Sequence, residues 1–370
     1  MAELLDIVFL TAGSKPGKDG VGDYVRRVGG ELASRGYSVG WLAWRDPHVL
    51  EVKRRVDHGI MLMRLPAAMT ELARRERAIE WWQSHHTRLV SWQLTPYGFH
   101  RRGWVGALGV WLRQQMGDAQ VQLMVHEIWV GAKRESSPRE RVAGHSQVVS
   151  WRRMLRGLHP NWVHTQSLPY QHMLRRLGQD AGIIPLCGNI PVVEATPPPD
   201  DHFRAGFFGT LYEPLDEAAL FDELQRLGQH LRRPVKVLAA GHLGRHGEAR
   251  WERWQAEPPH GFAFERVKGK APDTISGYLQ SLDLGMTTTP VALLEKSGTV
   301  ASMQEHGLRV RVLRDDVSFP GMRNPKPAAN LCPPREDLVA WWQQSEDPPK
   351  HSRLPEVADA YERLIQEARG

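Results

Sequence analysis

Residues 291–313, VALLEKSGTVASMQEHGLRVRVL, read as a polar loop that opens a short helix and then runs into a β-branched strand. The loop is Glu295-Lys296-Ser297-Gly298. Ser297 or Gly298 fits the N-cap, Val300 and Met303 stand at helical spacing, and Gly307 suits the residue just past the helix end. A small-residue loop feeding a helix points free backbone N–H groups and the positive end of the helix dipole at one spot, which suits a phosphate or carboxylate. Lys296 adds a full charge there and Glu295 an acceptor for hydroxyl groups. An ordinary α/β connection with a solvated Glu-Lys pair would use the same residues, so the stretch alone leaves both readings open.

The sequence on either side repeats this alternation. Residues 5–10 read as a buried strand, followed by a Gly/Lys/Pro/Asp loop at 13–23, a helix with Val21, Val25, Val28 and Leu32 on one face, and a strand at 37–43. This is a βαβ unit, but its glycines do not have the spacing of a dinucleotide fingerprint and Asp46 lies past Trp44 and Arg45, so NAD is not expected. Further strands fit 59–64, 88–94, 121–125, 161–165 and 182–186, with helices over 67–84, 103–116 and 146–157. The polar run 132–145 reads as an irregular, mobile segment. A Pro-rich stretch, Gly188 through Thr196-Pro197-Pro198-Pro199-Asp200-Asp201, reads as a linker. The pattern then restarts: a strand into Gly209, a helix at 216–228, a strand at 235–240 into the loop 241–245, a helix at 273–281 and a strand at 283–287. The expected architecture is α/β, with two doubly wound Rossmann-like domains facing a central cleft, over 1–195 and 203–345. A terminal helix within 350–370 is expected to pack back on the first domain. Loops 13–23, 126–131, 241–245 and 295–298 are expected to line that cleft.

Bulk properties narrow the classes. A chain of 370 residues exceeds one typical core. No run of about eighteen apolar residues exists to span a membrane, and the N-terminus reads as a strand rather than a signal peptide, so the cytoplasm is the default expectation. Cys187 and Cys332 are the only cysteines and have no ligand spacing, which excludes a disulfide framework and a structural zinc. The net charge of +6 suits anionic partners, but the basic residues are spread out and no nucleic-acid module appears, so no nucleic acid is expected. Trp and Arg cluster at 74–82 and 101–113. They read chiefly as caps on a core, with a peripheral membrane face or an acceptor groove as the alternatives.

Taken together, the loops resemble those of the GT-B glycosyltransferases, and within them the retaining family 4. The resemblance rests on Asp19-Gly20-Val21-Gly22-Asp23-Tyr24-Val25-Arg26-Arg27 through Val39, on Ile184-Pro185 through Gly188-Asn189-Ile190-Pro191, on Phe207-Phe208-Gly209-Thr210-Leu211, and on Glu295-Lys296-Ser297-Gly298 to His306-Gly307. It implies metal-independent transfer of a sugar, with retention, from a nucleotide-sugar substrate (a UDP- or GDP-sugar) to an acceptor that is a glycan, a lipid-linked molecule or a small molecule. No cofactor is implied. By resemblance His126, Glu295 and Lys296 are the catalytic candidates. Gly20, Gly22, Arg245, Lys268, Ser297, Gly298 and Thr299 would hold the donor and its phosphates, and Asp23, Glu127 and Tyr97 would lie on the acceptor side. No metal ligands are assigned.

Two departures stand out. The family's Arg and Lys after the first strand of its second domain are absent from Gly209-Thr210-Leu211-Tyr212-Glu213-Pro214, so Lys296, Arg245, Lys268 or Lys270 would have to supply the cation, with Lys296 first. The family's second glutamate is replaced by Met303, with Glu305 the nearest acid. These departures favour, as the alternative, a GT-B-like protein that binds a nucleotide or a partner without turnover.

Overall fold

A computed structural model describes residues 3–195, 201–269 and 271–369. Residues 196–200 of the expected linker and the candidate cation Lys270 lie outside the described residues. The chain forms two compact units, one of residues 1–185, 319–322 and 354–370, the other of residues 186–318 and 323–353.

The first unit runs β1 (Glu3–Thr11), α1 (Gly20–Ser34), β2 (Val39–Asp46), β3 (Lys53–Asp57), β4 (Ile60–Pro66), α2 (Glu71–Ser84), β5 (His85–Leu94), α3 (Pro96–Phe99), α4 (Gly106–Gln115), β6 (Gln120–Val125), α5 (Pro138–Leu158), β7 (Trp162–Thr165), α6 (Leu168–Arg175) and β8 (Gly182–Ile183). Its sheet has the order β3-β4-β2-β1-β5-β6-β7-β8, parallel throughout except for the β3–β4 hairpin. The central strand β1 is buried on both faces from Leu5 onward, as expected of a parallel strand covered by helices on each side. Its Ile7 pairs with Val39 on one side and Leu89 on the other.

Three expectations change here. Helix α1 begins at Gly20, so Gly20 and Gly22 belong to its first turn and not to a loop; Asp19 caps it by accepting the Gly22 amide at 2.9 Å. Much of the polar run 132–145 is helical, because Ser137 and Glu140 form a capping box that starts α5 at Pro138. Residues 186–195, placed with the first domain from sequence, belong to the second unit: the Gly188 and Asn189 amides bond to Glu305 and Ser302, and Val193 bonds to Ser276 and Gln280. Proline composition marked the polar stretch, not the place where hydrogen-bond partners change.

The 74–82 half of the Trp and Arg cluster builds core, while Arg101, Arg102 and Trp104 in the other half are exposed. Trp44, Trp81 and Trp82 are buried, and Arg74 spends its guanidinium on the carbonyls of Pro66, Ala67 and Met69. The terminal helix Leu354–Glu367 lies on α1, where Arg35 pairs with Asp359 at 2.6 Å and Glu362 at 3.0 Å, and buried Tyr361 meets Phe9 edge-on at 5.3 Å. Among the described residues no helix is long and apolar enough to cross a membrane.

The second unit runs β9 (Phe203–Phe208), α7 (Glu217–Leu231), β10 (Val235–Ala240), α8 (Gly244–Ala256), β11 (Phe262–Arg266), α9 (Pro272–Gln280), β12 (Leu284–Thr287), a 3-10 turn (Val291–Lys296), α10 (Gly298–Glu305), β13 (Arg309–Val312), β14 (Leu331–Cys332) and α11 (Leu338–Gln344). Its sheet, in the order β11-β10-β9-β12-β13-β14, is wholly parallel. Because strand residues alternate in direction, β10 feeds two cores. Val235, Val237 and Ala239 join Leu220, Leu224, Trp251 and Trp254 on one face, while Leu238 and Ala240 join Ile275, Leu279, Val300 and Met303 on the other.

Candidate functional site

In a doubly wound sheet the loops leaving the strand C-termini diverge where the strand order reverses, and ligands bind in that crevice. The reversal falls between β1 and β5 in the first unit and between β9 and β12 in the second.

In the first unit the loop after β1 is held by carboxylates at the end of β2 and the start of α1. Asp46 accepts the amide and hydroxyl of Ser14, each at 3.0 Å, and pairs with Arg64 at 2.9 Å. Burial alone would push its carboxyl up, but the Arg64 and His48 hydrogen bonds outweigh this and hold it below the usual range. Asp23 accepts the Gly17 amide at 3.0 Å and pairs with Arg26 at 3.0 Å; burial raises its carboxyl. Burial also raises that of Asp19, against the pull of the Gly22 amide. Gly22 is buried with its Cα against the loop, where an added Cβ would lie 3.0 Å from Ser14 Cα; Gly20 is exposed. The start of α1 therefore already carries two carboxylates that complement its dipole.

His126, just past β6, is 6% exposed. Its Nδ1 accepts from the Gln166 side-chain amide at 2.9 Å and its Nε2 donates to Gln93 Oε1 at 2.7 Å, which sets the tautomer. Gln93 also donates to Ser91 and Tyr361, so His126 is the outer end of a buried polar chain. Glu127 beside it is exposed. Tyr97 is half exposed, and its hydroxyl accepts from Gln147 at 2.8 Å.

In the second unit the two diverging loops are tied by a threonine. Thr288, after β12, accepts the Tyr212 amide at 2.7 Å and donates to the Thr210 carbonyl at 3.3 Å, joining the loop after β9. Ser297 is the N-cap of α10, and its hydroxyl lies 3.3 Å from that of Thr289 and 3.0 Å from that of Thr299. Gly209 has a left-handed backbone (φ +81°), and a Cβ there would lie 2.6 Å from the Thr299 methyl. Ser297, Thr299, Thr289 and Gly209 thus stand together at the crevice, with Gly241 next to Gly209. Glu295 and Lys296 end the 3-10 turn two residues and one residue before the cap, and each is engaged within the protein. Gly298 backs onto Asn189, 3.1 Å from where its Cβ would be. Arg245 and Lys268 are exposed, on α8 and after β11.

The sequence reading passed over three residues here. Thr289 comes from a Thr287-Thr288-Thr289-Pro290 run, whose hydroxyl density at a strand end was a visible signal. Arg266 at the end of β11 and Arg314 past β13 bring cations to the C-terminal edge of the sheet. Arg314 has its Nη1 3.5 Å from the Thr288 carbonyl and pairs with Asp316 at 2.7 Å. Nothing in their neighbours singled out these arginines.

The suggested ribose contact departs further. Met303 is fully buried in the core, and Glu305, 1% exposed, binds backbone amides. Among the described residues no three His, Cys, Asp or Glu side chains stand together to hold a metal ion.

No family model and no curated protein matches the chain. Solved structures do. The catalytic domain of starch synthase IV from Arabidopsis thaliana, bound to ADP and acarbose, superposes with a TM-score of 0.59 at 12% identity, covering 99% of each chain. Sucrose-phosphate synthase from Thermosynechococcus elongatus gives 0.56 at 15% identity, covering 99% of this chain and 97% of that one. UDP-GlcNAc 2-epimerase from Methanocaldococcus jannaschii gives 0.52 at 9% identity, covering 99% of each. At these identities the likeness is one of fold, and the fold of this chain is GT-B.

Proposed function

We propose that the protein is a glycosyltransferase that takes a sugar from a nucleotide-sugar donor, without a metal and with retention. The observation that carries this reading is the cluster at the second unit's switch point, where the capped N-terminus of α10 meets the hydroxyls of Ser297, Thr289 and Thr299 opposite the left-handed Gly209. Amides and hydroxyls in that arrangement suit a diphosphate. As the glycosidic bond breaks, the leaving diphosphate gains charge, so Lys296 at the helix start stabilises the transition state more than the ground state. Glu295 takes the hydroxyls of the donor sugar. On this reading His126, oriented by Gln93 and Gln166, acts on the transferred sugar. The fold shared with an ADP-bound starch synthase supports the donor class.

A second reading, a GT-B protein that binds a nucleotide without turnover, is favoured by Met303 and Glu305, both committed to the interior. Incubation with UDP-, GDP- and ADP-sugars in the absence of metal, with released nucleoside diphosphate measured, separates the two. The enzyme reading expects release from one donor and a loss of at least tenfold in Lys296→Ala. Unchanged release in that variant removes Lys296 from the site. Nucleotide binding without any release establishes the second reading.

A further inference from the structure

The first unit carries a groove of about 660 Å³ that none of the residues above explains. It lies between α5 and the loop 129–134, with Pro320 on its wall, and its size is that of a small-molecule site. The wall is tightly built. Val130 donates its amide to Gln147 at 2.9 Å, and buried Trp129 meets Trp151 edge-on at 5.7 Å. A Cβ on Gly144 would lie 2.1 Å from the Val130 carbonyl, and one on Gly131 would lie 2.4 Å from that of Glu140, so loop and helix touch backbone to backbone. Pro320 is held in turn, its carbonyl accepting from His172 at 3.0 Å and Arg176 at 3.2 Å.

The polar lining has one sign. Among the described residues Lys133, Arg134, Arg141, His145 and Arg152 line the groove and no acid does, with Glu140 at the start of α5 the acid that acts on Lys133. Several arginines elsewhere in this unit pair with carboxylates, Arg26 with Asp23 and Asp57, Arg35 with Glu31, Asp359 and Glu362, and Arg64 with Asp46, while Arg102 stacks on Trp104 and Arg113 bonds the Ala119 carbonyl. Among the described residues Arg134, Arg141 and Arg152 have no such partner; Arg141 reaches only the Arg134 carbonyl, at 2.8 Å. Arg134, Arg141 and Arg152, gathered in a concave, partly apolar site without a carboxylate partner, create a positive potential that an anion relieves.

We infer that this groove binds a phosphate-bearing molecule, the arginines taking the phosphate and Trp129 and Val148 the body. Arginine forks match phosphate oxygens in geometry as well as charge. Because the loop begins three residues after His126, the molecule is the acceptor of the transfer; that role, though not the groove, rests on the glycosyltransferase reading. The phosphate comes either from a soluble phosphomonoester or from a lipid headgroup.

The test is titration of the full chain with inorganic phosphate, glycerol 1-phosphate and neutral glycerol, followed by thermal shift, with parallel sedimentation on phosphatidylcholine vesicles with and without phosphatidic acid. Binding of either phosphate, absent with glycerol and weakened at least tenfold in Arg134→Ala/Arg152→Ala, supports the groove. Arg156→Ala, exposed on the same helix outside the groove, should bind as the wild type does. Binding to phosphatidic acid vesicles alone, lost in the double variant, supports the groove with a lipid source. No binding to any of these, or equal binding in the double variant, overturns the inference. The nucleoside diphosphate shift, measured on both proteins, is expected to survive the double substitution. If phosphate binds through the groove while no nucleotide binds at all, the groove stands and the acceptor role falls.

Discussion

Glu305 Oε1 accepts the amide of Gly188 at 2.7 Å, and the same oxygen accepts the amide of Arg353 at 3.1 Å. One buried carboxylate at the end of α10 thus fastens the segments where the chain enters and leaves the second unit. Removing it leaves two amides without an acceptor, at about 1–3 kcal/mol each. Glu305→Ala is expected to lower Tm markedly, with Glu305→Gln in between, while nucleotide affinity of the folded protein changes little. A Glu305→Ala protein as stable as the wild type, with nucleotide binding lost, would instead make Glu305 a ribose ligand.

His164 gives a pH signature. Its ring is largely buried and packed under Gly182, with the Gln122 amide 3.3 Å from Nδ1, and burial pushes its pKa down to about 4 from 6.5. The unfolded chain therefore binds this proton first as pH falls. The contribution is intact above pH 6.5 and is lost between pH 6.5 and 4, at up to about 1.4 kcal/mol per pH unit. Urea midpoints across that range should show a shallower acid slope for His164→Gln than for the wild type; identical slopes contradict the assignment.

Gly209 combines a left-handed backbone with close approach to Thr299. Gly209→Val meets both obstacles, and a strained backbone of this kind costs about 1–3 kcal/mol. The variant is expected to fold with lowered Tm and without nucleoside diphosphate binding. Retained binding would place the diphosphate away from this loop.

Tyr361 tests whether the terminal helix reaches the chemistry of the first unit. Its buried hydroxyl accepts from Gln93, and Gln93 holds His126. Tyr361→Phe should cost about 1–3 kcal/mol and lower kcat for transfer while leaving the nucleotide shift unchanged. No change in kcat would make the polar chain purely structural.

The alternation of strands and helices was legible because central parallel strands such as β1 and β10 are apolar runs broken only by Asp6 and Lys236 from Leu4 to Leu10 and from Val235 to Ala240, and because Ser297 and Gly307 mark helix ends with their own chemistry. Helix α8 was missed: its Gly-Arg-His start has no side-chain cap, and its pattern rests on Trp251 and Trp254 alone. At the site, Ser297 and Gly209 could be read because capping and left-handed turns leave a local mark. The Thr288 tie, the Gln93–His126–Gln166 chain and the fate of Glu305 could not, since each joins residues far apart in sequence. Arg134 and Arg141 were in view but read as part of an irregular, mobile segment; only the fold brings them to one groove with Arg152.

The central claim is a nucleoside diphosphate site at the switch point of the second unit. The most direct measurement is a thermal-shift titration with UDP, GDP, ADP, TDP and CDP, each with and without Mg²⁺, on the wild type and Lys296→Ala. A ligand that binds only the native state stabilises it by about 2.7 kcal/mol at a hundredfold excess over Kd, well within detection. The account predicts that one nucleotide stands out, that its shift does not need Mg²⁺, and that it weakens in Lys296→Ala. No shift with any nucleotide, or a shift untouched by Lys296→Ala and Gly209→Val, would contradict it.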